Sequence, residues 1–336
     1  MDKRVIFAVA GSGKTTYIID NLSGDKRSLI VTYTNGNYDT LREKITKKFD
    51  GQWPENITLM TYFSFLYNFC YKPFLADRLR AKGIIFESNF NLRIPQNDLR
   101  YFISSGRYLY SNRLSFMLGK YNVIDDIKAR IKKYFDEFVI DEVQDIAGRD
   151  FTFLESLMET EINMLFVGDF YQHTFDTSRD GNTNSTLFDD KDEYEARFTR
   201  KGLSIDNNAL IRSWRCSRSV CDFIRDNLDI VITSNRPETD DTTIEYVTDA
   251  ALAEQILDSG AVIKLHYRNG AKAGASHKNW GETKGEDHHQ DVCVLLNKTT
   301  ASKRKAGKLS ELAPMTKNKL YVAITRAKGN VYFIDE

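Results

Sequence analysis

The sequence predicts an α/β protein built from two parallel, doubly wound sheets. Apolar runs typical of buried strands alternate with helical patterns along the chain, which is the order that parallel sheets require. A glycine-bearing loop joins the first strand pattern to the first helical pattern, a strand–loop–helix unit common in this fold class. The 336 residues give room for about two domains of ordinary size.

The elements follow one another in a regular order. The first strand pattern covers 4–9, and residues 16–21 can open the first helix. Further strand patterns lie at 28–32, 137–140, 164–167, 261–265, 292–296 and 331–334. Helical patterns between them lie at 40–49, 125–135, 149–159 and 219–228, and residues 319–328 read as an amphipathic helix.

Changes in composition suggest the domain limits. We expect a first domain at 1–204 and a second at 205–336, with the second sheet beginning near Ser204. Between 66 and 135 the chain carries many aromatic and basic residues but no strand pattern, which predicts a small, mainly helical insertion in the first domain. The polar stretch 176–186 is a predicted loop.

Composition limits the functional classes. The 47 basic and 47 acidic residues balance, so a nucleic-acid site has to be a local groove rather than a global basic field. The four cysteines lack zinc-ligand spacing and are expected to be reduced thiols. There is no apolar stretch near 18 residues, so we expect a soluble, cytoplasmic protein without a membrane partner.

Residues 8–15 read Ala-Val-Ala-Gly-Ser-Gly-Lys-Thr between a strand and a helix. Backbone N–H groups of such a loop and the dipole of the following helix face an anion. A lysine here reaches the β- and γ-phosphates of a nucleotide, and the following hydroxyl can hold Mg²⁺. The loop therefore predicts a site for a nucleoside triphosphate and Mg²⁺ formed by Ala10, Gly11, Ser12, Gly13, Lys14, Thr15 and Thr16.

Two later strand patterns end in polar side chains that suit this chemistry. The pattern at 137–140 ends in Asp141 and Glu142, the first suited to bind Mg²⁺ through water and the second to orient or deprotonate the attacking water. The pattern at 164–167 ends in Gly-Asp, with Gln172 three residues further on. A glutamine beside the γ-phosphate can sense it by hydrogen bonding, although a solvent-facing glutamine in a plain turn would read the same way.

Taken together, these segments resemble the superfamily 1 helicases of the UvrD/Rep type (type A). The resemblance runs through the chain in the family's order. Its motifs are the loop at 8–15, then 31–35, 61–65, the Asp-Glu-x-Gln-Asp box at 141–145, the Gly-Asp-x-x-Gln box at 168–172 with Phe175 after it, 214–216, 283–286 and 321–328.

The resemblance implies two RecA-like domains that bind ATP between them. Arg215 and Arg326 would act from the second domain as arginine fingers, typically worth about 10³–10⁵ in hydrolysis rate, although either could be an ordinary capping or salt-bridged residue. Glu286 or Asp287 would contact the ribose. Candidate contacts to single-stranded DNA are Thr32, Tyr33, Asn35, Thr61, Phe63, Phe65 and Phe175. Core packing remains an equal alternative for Tyr33, Phe63 and Phe65.

The chain also departs from the family pattern. The family's adenine-recognising glutamine segment lies before the loop, where this sequence holds only residues 1–5, so base selectivity stays open and other nucleoside triphosphates could serve. Thr177 stands where the family carries a tryptophan that stacks on a base. Between Arg215 and Lys284 there is no room for the large helical subdomain of full-length relatives. The chain is therefore expected to be a compact motor core.

These observations favour an ATP-dependent single-stranded DNA translocase or helicase, and the form of the boxes favours 3′→5′ movement. An ATP-gated DNA-sensing subunit of a nuclease or other effector would use the same active-site residues. A third hypothesis is a small-molecule kinase with a phosphate-binding loop. Arg215, Arg326 and the two-domain order of the motifs argue against it. Phosphate and stacking contacts do not detect a 2′-hydroxyl, so RNA stays open as the track.

Overall fold

A computed structural model describes residues 1–89, 91, 93–175, 181–272, 274 and 276–336. These residues form two compact units, each described by itself below. Unit 1 comprises Met1–Ile6, Thr15–Gly168 and 181–206. Unit 2 comprises Phe7–Lys14, Asp169–Phe175 and the described part of Asn207–Glu336. Two short segments, Phe7–Lys14 near the start of the chain and Asp169–Phe175 near its middle, thus group with unit 2.

The strands are short, with two to six residues each. They are β1 Lys3–Phe7, β2 Ser28–Thr32, β3 Ile57–Thr61, β4 Gly83–Ile85, β5 Tyr108–Tyr110, β6 Glu137–Asp141, β7 Asn163–Gly168, β8 Ser204–Asp206, β9 Arg212–Ser213, β10 Thr233–Ser234, β11 Ile244–Tyr246, β12 Ile263–His266, β13 His277–Asn279, β14 Val292–Leu296 and β15 Val331–Asp335.

Helices connect these strands. The α-helices are α1 Lys14–Asn21, α2 Asn35–Lys48, α3 Tyr62–Ser64, α4 Lys72–Leu79, α5 Leu99–Phe102, α6 Ser111–Lys120, α7 Ile124–Tyr134, α8 Gly148–Leu157, α9 Lys191–Thr199, α10 Arg218–Leu228, α11 Ala250–Asp258, α12 Lys298–Lys305 and α13 Pro314–Ile324. A π-helical stretch, Phe65–Tyr71, joins α3 to α4, and short 3₁₀ turns include Val143–Asp145, Phe170–Gln172 and Trp280–Thr283.

Local side chains explain why several helices begin where they do. Thr34 accepts a hydrogen bond from the amide of Asn37 (3.1 Å) at the start of α2. At the start of α10, Ser217 accepts a hydrogen bond from the amide of Val220 (3.3 Å). At the start of α11, Asp249 accepts one from the amide of Leu252 (2.8 Å). Each cap satisfies an amide that the first helical turn leaves without an intrahelical partner.

The sheet of unit 1 has the order β3-β2-β6-β7-β1-β8. Strand β2 pairs in parallel with β3 and β6, β6 with β7, and β1 with β8. All five residues of β2 are buried, as expected for a strand covered on both faces. Thr32 pairs with Asp141, and Asp141 with Val167, so their polar ends share the carboxyl edge of the sheet.

Two details of unit 1 differ from the sequence-based expectation. Ser204–Asp206 does not begin the second sheet: it pairs with β1 as an edge strand of the first. The described residues of 66–135 form helices and also the parallel pair β4 and β5, whereas the sequence predicts no strand there. Strands of three residues are too short to leave an alternation pattern in the sequence.

Unit 2 has a parallel sheet of order β11-β15-β14-β12-β13. The five residues of β14 are all buried. Trp280 lies in the core of this unit, and its indole N–H donates to the carbonyl oxygen of Leu265 (2.9 Å). The four cysteines are buried free thiols. Burial raises the pKa of Cys293 to about 12, so this thiol stays protonated at neutral pH.

The last helix differs from its prediction. Helix α13 ends at Ile324, so Arg326 follows the helix instead of lying within it. It is also not amphipathic over its second half, because every residue from Leu320 to Ile324 is buried. Among the described residues, no helix combines the length and apolarity needed to cross a membrane. The predicted α/β class with parallel sheets is confirmed.

Candidate nucleotide and nucleic-acid site

The loop between β1 and α1 depends on two glycines in the left-handed region. Gly11 has a φ of +70° and Gly13 a φ of +89°, backbone conformations that residues other than glycine rarely adopt. A Cβ on Gly11 would lie 2.7 Å from the Cβ of Arg215 and 2.8 Å from the Oγ of Ser213. Glycine is therefore required at position 11 both by the backbone angle and by the close approach of the segment at 213–215.

Hydrogen bonds within unit 2 hold this loop. The amide of Ala10 donates to the hydroxyl oxygen of Tyr321 (2.8 Å), and the Ser213 hydroxyl donates to the carbonyl of Ala10 (2.7 Å). The amide of Trp214 donates to the carbonyl of Gly11 (2.9 Å). Two of these three hydrogen bonds are accepted by carbonyl groups of the loop, so Ser213 and Trp214 hold the loop through its carbonyls.

Ser12 and Lys14 lie deep in the loop, at 5% and 9% exposure. The Ser12 hydroxyl is buried and has no hydrogen-bond partner among the described residues. A buried hydroxyl of this kind costs free energy unless a ligand or water satisfies it. Thr15 and Thr16 continue into the first turn of α1, half-buried and exposed respectively.

A chain of hydrogen bonds links the loop to Gln172. The hydroxyl of Tyr321, which accepts from Ala10, donates to Oδ2 of Asp169 (3.1 Å). Nε2 of Gln172 donates to the same carboxylate oxygen (2.9 Å), while the amide of Tyr171 donates to Oδ1 (3.1 Å). Burial, followed by the charge of Asp169, raises the pKa of Tyr321 well above its usual value, so the phenol remains a proton donor.

The two candidate arginines lie beside one loop of unit 2. Arg215 forms an ion pair with Asp287 and donates to the carbonyl of Thr325 (3.1 Å). Arg326 is 1% exposed and donates to the carbonyls of Val322 (3.1 Å), Thr283 and Glu286 (3.2 Å each). Burial, then the neighbouring charge of Arg215, lowers the pKa of Arg326 to about 10, which still leaves it charged at neutral pH.

The acidic box lies on unit 1. Asp141 ends β6 and is 3% exposed, and Glu142 follows with φ of +57°. The side-chain amide of Gln144 donates to the carboxylate of Glu142. A Cβ on Gly168 at the end of β7 would lie 2.8 Å from Cγ1 of Val143 and still closer to Gln144. Glycine at 168 therefore lets the end of β7 pass directly beside this box.

An aromatic cluster occupies another part of unit 1. The ring of Phe63 lies 5.7 Å from that of Tyr33 and 5.0 Å from that of Phe86, edge-on in both cases. Tyr33 also stacks on Tyr62 (5.8 Å). Phe86 is 65% exposed, although it follows β4 in the insertion and matches no motif. We call Tyr33, Phe63 and Phe86 the aromatic row.

The remaining predicted DNA contacts lie in different environments. Phe65 is 1% exposed and packs on Phe69 and Phe138, so its burial favours the core alternative. Thr32 is buried, Asn35 is exposed at the start of α2, and Thr61 caps α3 by accepting from the Ser64 amide (3.3 Å). Phe175, on unit 2, is 44% exposed. Thr177 lies outside the described residues.

Glu286 and Asp287 face different partners. Asp287 pairs with Arg215, whereas Glu286 pairs with Lys278 and with His289, whose Nε2 lies 2.6 Å from Oε2 of the carboxylate. The hydrogen bonds from Lys278 and His289 outweigh the effect of burial and lower the pKa of Glu286.

The sequence prediction gave no role to three residues beside these groups. They are Tyr321 in the hydrogen-bond chain, Trp214, which is 67% exposed beside the glycine loop, and Phe86. Trp214 and Tyr321 belong to matched motifs, but the sequence does not tell what they contact. Phe86 carries no sequence signal beyond being one aromatic among many at 66–135.

Comparisons with known proteins point to one kind of fold. No protein-family model and no curated protein matches the sequence. Among solved structures, the chain resembles "The structure of PRRSV helicase" with a TM-score of 0.49 and 14% identity over 99% of this chain and 52% of that one. It also resembles "Complex structure of Arterivirus nonstructural protein 10 (helicase) with DNA", with a TM-score of 0.53 and 15% identity over 99% and 61%.

This likeness is one of fold. At 15% identity the second comparison supports a shared α/β architecture, consistent with RecA-like domains, and leaves the activity to be argued from the residues. This chain spans 52% and 61% of the length of the two helicase chains.

Proposed function

We propose that this chain is an ATP-hydrolysing motor that moves along single-stranded DNA, a translocase or helicase of superfamily 1. The observation that carries the proposal is the close packing of the segment at 213–215 on the glycine loop: a Cβ on Gly11 would lie 2.7 Å from the Cβ of Arg215, whose guanidinium pairs with Asp287. An arginine packed on a phosphate-binding loop is suited to stabilise charge that develops during phosphoryl transfer. The fold shared with a solved helicase agrees with this role.

The charges around Arg215 also favour an anionic ligand. Arg215 and the buried Arg326 repel one another, and among the described residues the carboxylate paired with Arg215 is that of Asp287, itself 70% exposed. Buried positive charge without full compensation is costly, and a phosphate group would reduce this cost. Lys14, at the end of the same loop, would add a third cation for the β- and γ-phosphates.

Each predicted catalytic residue then has a distinct role. Lys14, Arg215 and Arg326 stabilise phosphate charge, and Glu142 orients and deprotonates the attacking water. Gln172 senses the γ-phosphate, and we assign Tyr321 as a positioning residue because it joins Gln172, through Asp169, to the loop at Ala10.

The donor set at Thr15 and Asp141 suits Mg²⁺. A threonine hydroxyl in the first turn of α1 and a buried carboxylate at the carboxyl edge of the sheet are hard oxygen donors, which this ion prefers. Bound there, Mg²⁺ would neutralise charge on the phosphate oxygens. Helix α1 and strand β6 would hold the Thr15 hydroxyl and the Asp141 carboxylate in place.

Trp214 is our candidate for base recognition. Its amide is bonded to Gly11 while its side chain is 67% exposed, so a broad aromatic surface stands beside the loop. Stacking on an aromatic face accepts any base, because every base has a π-face. This would supply base binding with little selectivity for adenine. For the ribose contact we favour Asp287 over Glu286, because Asp287 is the one paired with Arg215.

The nucleic-acid track would use aromatic residues. Phe86 and Phe175 are exposed and Tyr33 and Phe63 are half-buried, and each ring offered to an unstacked base is worth about 1–3 kcal/mol. Thr32, Asn35 and Thr61 remain proposed contacts to single-stranded DNA. The box forms support the type A class and 3′→5′ movement. A nuclease or other effector subunit as partner, and a cytoplasmic location, are further proposals from the sequence.

ATP hydrolysis with and without single-stranded DNA tests the proposal. We expect DNA to stimulate hydrolysis, and Lys14→Ala and Glu142→Gln to abolish it, with Glu142→Gln still binding ATP. Unwinding of a duplex with a 3′ or a 5′ single-stranded tail then tests direction. Hydrolysis that ignores DNA in the wild-type chain would exclude the translocase, and hydrolysis that survives both substitutions would exclude this site. Stimulated hydrolysis without unwinding or movement would favour the DNA-sensing subunit.

A further inference from the structure

Three side chains without a role in the proposed motor site converge on one loop of unit 2. The candidate ligand atoms of Glu286, His288 and His289 all lie within 4.8 Å of one another. The loop runs from the 3₁₀ turn Trp280–Thr283 to β14, and Gly285 within it has φ of +87°. The chain reverses at this glycine, just before the three residues.

We infer that Glu286, His288 and His289 form a binding site for one divalent transition-metal ion of the zinc class. Imidazole nitrogen and carboxylate oxygen are the donors that such ions take in proteins. Nε2 of His289 already lies 2.6 Å from Oε2 of Glu286. Tetrahedral zinc, with bonds of about 2.0–2.1 Å, separates its ligand atoms by about 3.3 Å. Small side-chain rotations therefore open the cluster to a metal-bound arrangement.

The surroundings of Glu286 suit a ligand. Lys278 pairs with Oε1, so Oε2, the oxygen that faces His289, is the one offered to an ion. A partner on the second oxygen orients a ligating carboxylate. The side chains of Glu286 and His289 are 23% and 10% exposed, and His288 is exposed. The site is thus partly sheltered yet open to entering ions, and three protein ligands leave a fourth position for water.

The location gives the ion a consequence for the proposed motor. The carbonyl of Glu286 accepts a hydrogen bond from Arg326 (3.2 Å), and the adjacent Asp287 pairs with Arg215. An ion on Glu286, His288 and His289 would hold the same loop that orients both arginines. This consequence rests on the proposed function, whereas metal binding itself does not.

A tag-free protein titrated with Co²⁺ tests the site, since cobalt replaces zinc and reports its ligands by visible absorption. We expect one bound Co²⁺ per chain, displaced by one equivalent of Zn²⁺. His288→Gln, which alters an exposed residue, and His289→Gln should each weaken binding by at least about tenfold. The titration needs no nucleotide or DNA, so its outcome is independent of the motor proposal.

A second histidine pair in the same unit provides the control. Nε2 of His266 lies 2.8 Å from Nδ1 of His277, and Nδ1 of His266 lies 2.9 Å from a carboxylate oxygen of Glu336. We expect His266→Gln to bind Co²⁺ as the wild type does. Absence of one-to-one binding, binding unchanged in both His288→Gln and His289→Gln, or equal loss in His266→Gln would each overturn the inference.

Discussion

At the scale of single residues, Gly11 combines two constraints that the sequence motif alone does not separate. Its positive φ favours glycine, and a Cβ added to it would lie 2.7 Å from the Cβ of Arg215, which leaves no space for a methyl group. We expect Gly11→Ala to lower the free energy of unfolding by about 1–3 kcal/mol and to displace Arg215. Isothermal titration with ATP should then show at least about tenfold weaker binding, equivalent to 1.4 kcal/mol.

Gly24→Ala is the matched control for this substitution. Nothing lies within 4 Å of a Cβ built on Gly24, and this glycine has no positive φ. Its ATP binding should equal that of the wild type. If Gly11→Ala bound ATP as tightly as Gly24→Ala does, the close contact between the loop and Arg215 would have no part in nucleotide binding.

Tyr321 gives a second prediction at this scale. Tyr321→Phe removes the donor to Asp169 and the acceptor of the Ala10 amide, while the ring volume is kept. Because Asp169 also holds Gln172, we expect kcat for ATP hydrolysis to fall by at least about tenfold, and the KM for ATP to change less. Steady-state hydrolysis measures both.

Tyr332→Phe serves as its control, since the Tyr332 hydroxyl accepts only a long hydrogen bond from Asn330 (3.4 Å) among the contacts described for it. It should hydrolyse ATP as the wild type does. A rise in KM with unchanged kcat in Tyr321→Phe would show that the tyrosine supports nucleotide binding and does not position Gln172.

At the scale of elements, the strand β4 brings an unpredicted aromatic residue to Phe63. Phe86 is 65% exposed and lies 5.0 Å from the Phe63 ring. We expect Phe86→Ala to weaken binding of a short single-stranded oligonucleotide by about 1–3 kcal/mol, with the ATP affinity unchanged. Fluorescence anisotropy at fixed salt measures this, since affinity for nucleic acid depends strongly on ionic strength.

An exposed aromatic residue elsewhere on unit 1 controls for nonspecific loss. Tyr134, at the end of α7, is 44% exposed and contacts basic side chains only among its described ring partners. Tyr134→Ala should leave oligonucleotide binding unchanged. Equal affinities of the two variants would remove the aromatic row from the proposed track.

The buried parallel strands were the most predictable elements. The pattern at 292–296 has the same limits as β14, and that at 28–32 the same as β2, because strands covered on both faces are continuous apolar runs. The edge strand Ser204–Asp206 could not be assigned to its sheet, since pairing with β1 depends on a contact about 200 positions away in sequence. Every residue of α13 from Leu320 to Ile324 is buried, so no polar face marks the end of this helix in the sequence.

In the candidate site too, residues set by local backbone were predictable from the sequence, and residues set by long-range contacts were not. Residues whose role depends on local backbone, such as Gly11, Gly13 and Lys14, were predicted from spacing alone. Tyr321 was missed as a functional residue because its bond to Ala10 joins positions 311 apart. Phe65 illustrates the opposite case: its motif suggested a base contact, but its packing on Phe69 and Phe138 is decided by tertiary structure.

At the scale of the whole molecule, the net charge is zero, and some of the carboxylates are hydrogen-bonded to basic side chains that lower their pKa values. Hydrogen bonds from Lys201 and Lys128 lower the pKa of Glu159 from 4.5 to about 2, and those from Arg27 lower that of Asp136 from 3.8 to about 2. A carboxylate with a lowered folded-state pKa stabilises the protein above its unfolded-state pKa and loses this contribution as the pH falls. We expect the unfolding temperature to drop between about pH 4.5 and 2.

Glu159→Gln tests this expectation directly. The side chain is 50% exposed, so its ion pairs contribute at most about 1 kcal/mol at neutral pH. The variant should unfold at a slightly lower temperature at pH 7, and its unfolding temperature should fall less steeply with acid. Glu55→Gln, at an exposed position, should follow the wild type. A wild-type slope in Glu159→Gln would contradict the assigned ion pairs.

The central claim is that the arginine packed on the glycine loop serves ATP hydrolysis coupled to single-stranded DNA. Its most direct test is kcat for ATP hydrolysis as a function of DNA concentration in the wild type, Arg215→Ala and Arg218→Ala. Arg218 is an exposed control that pairs with Glu238. We predict DNA-stimulated hydrolysis in the wild type and Arg218→Ala, and a fall of about 10³–10⁵ in Arg215→Ala. Equal rates in the two variants, or rates independent of DNA throughout, would contradict the account.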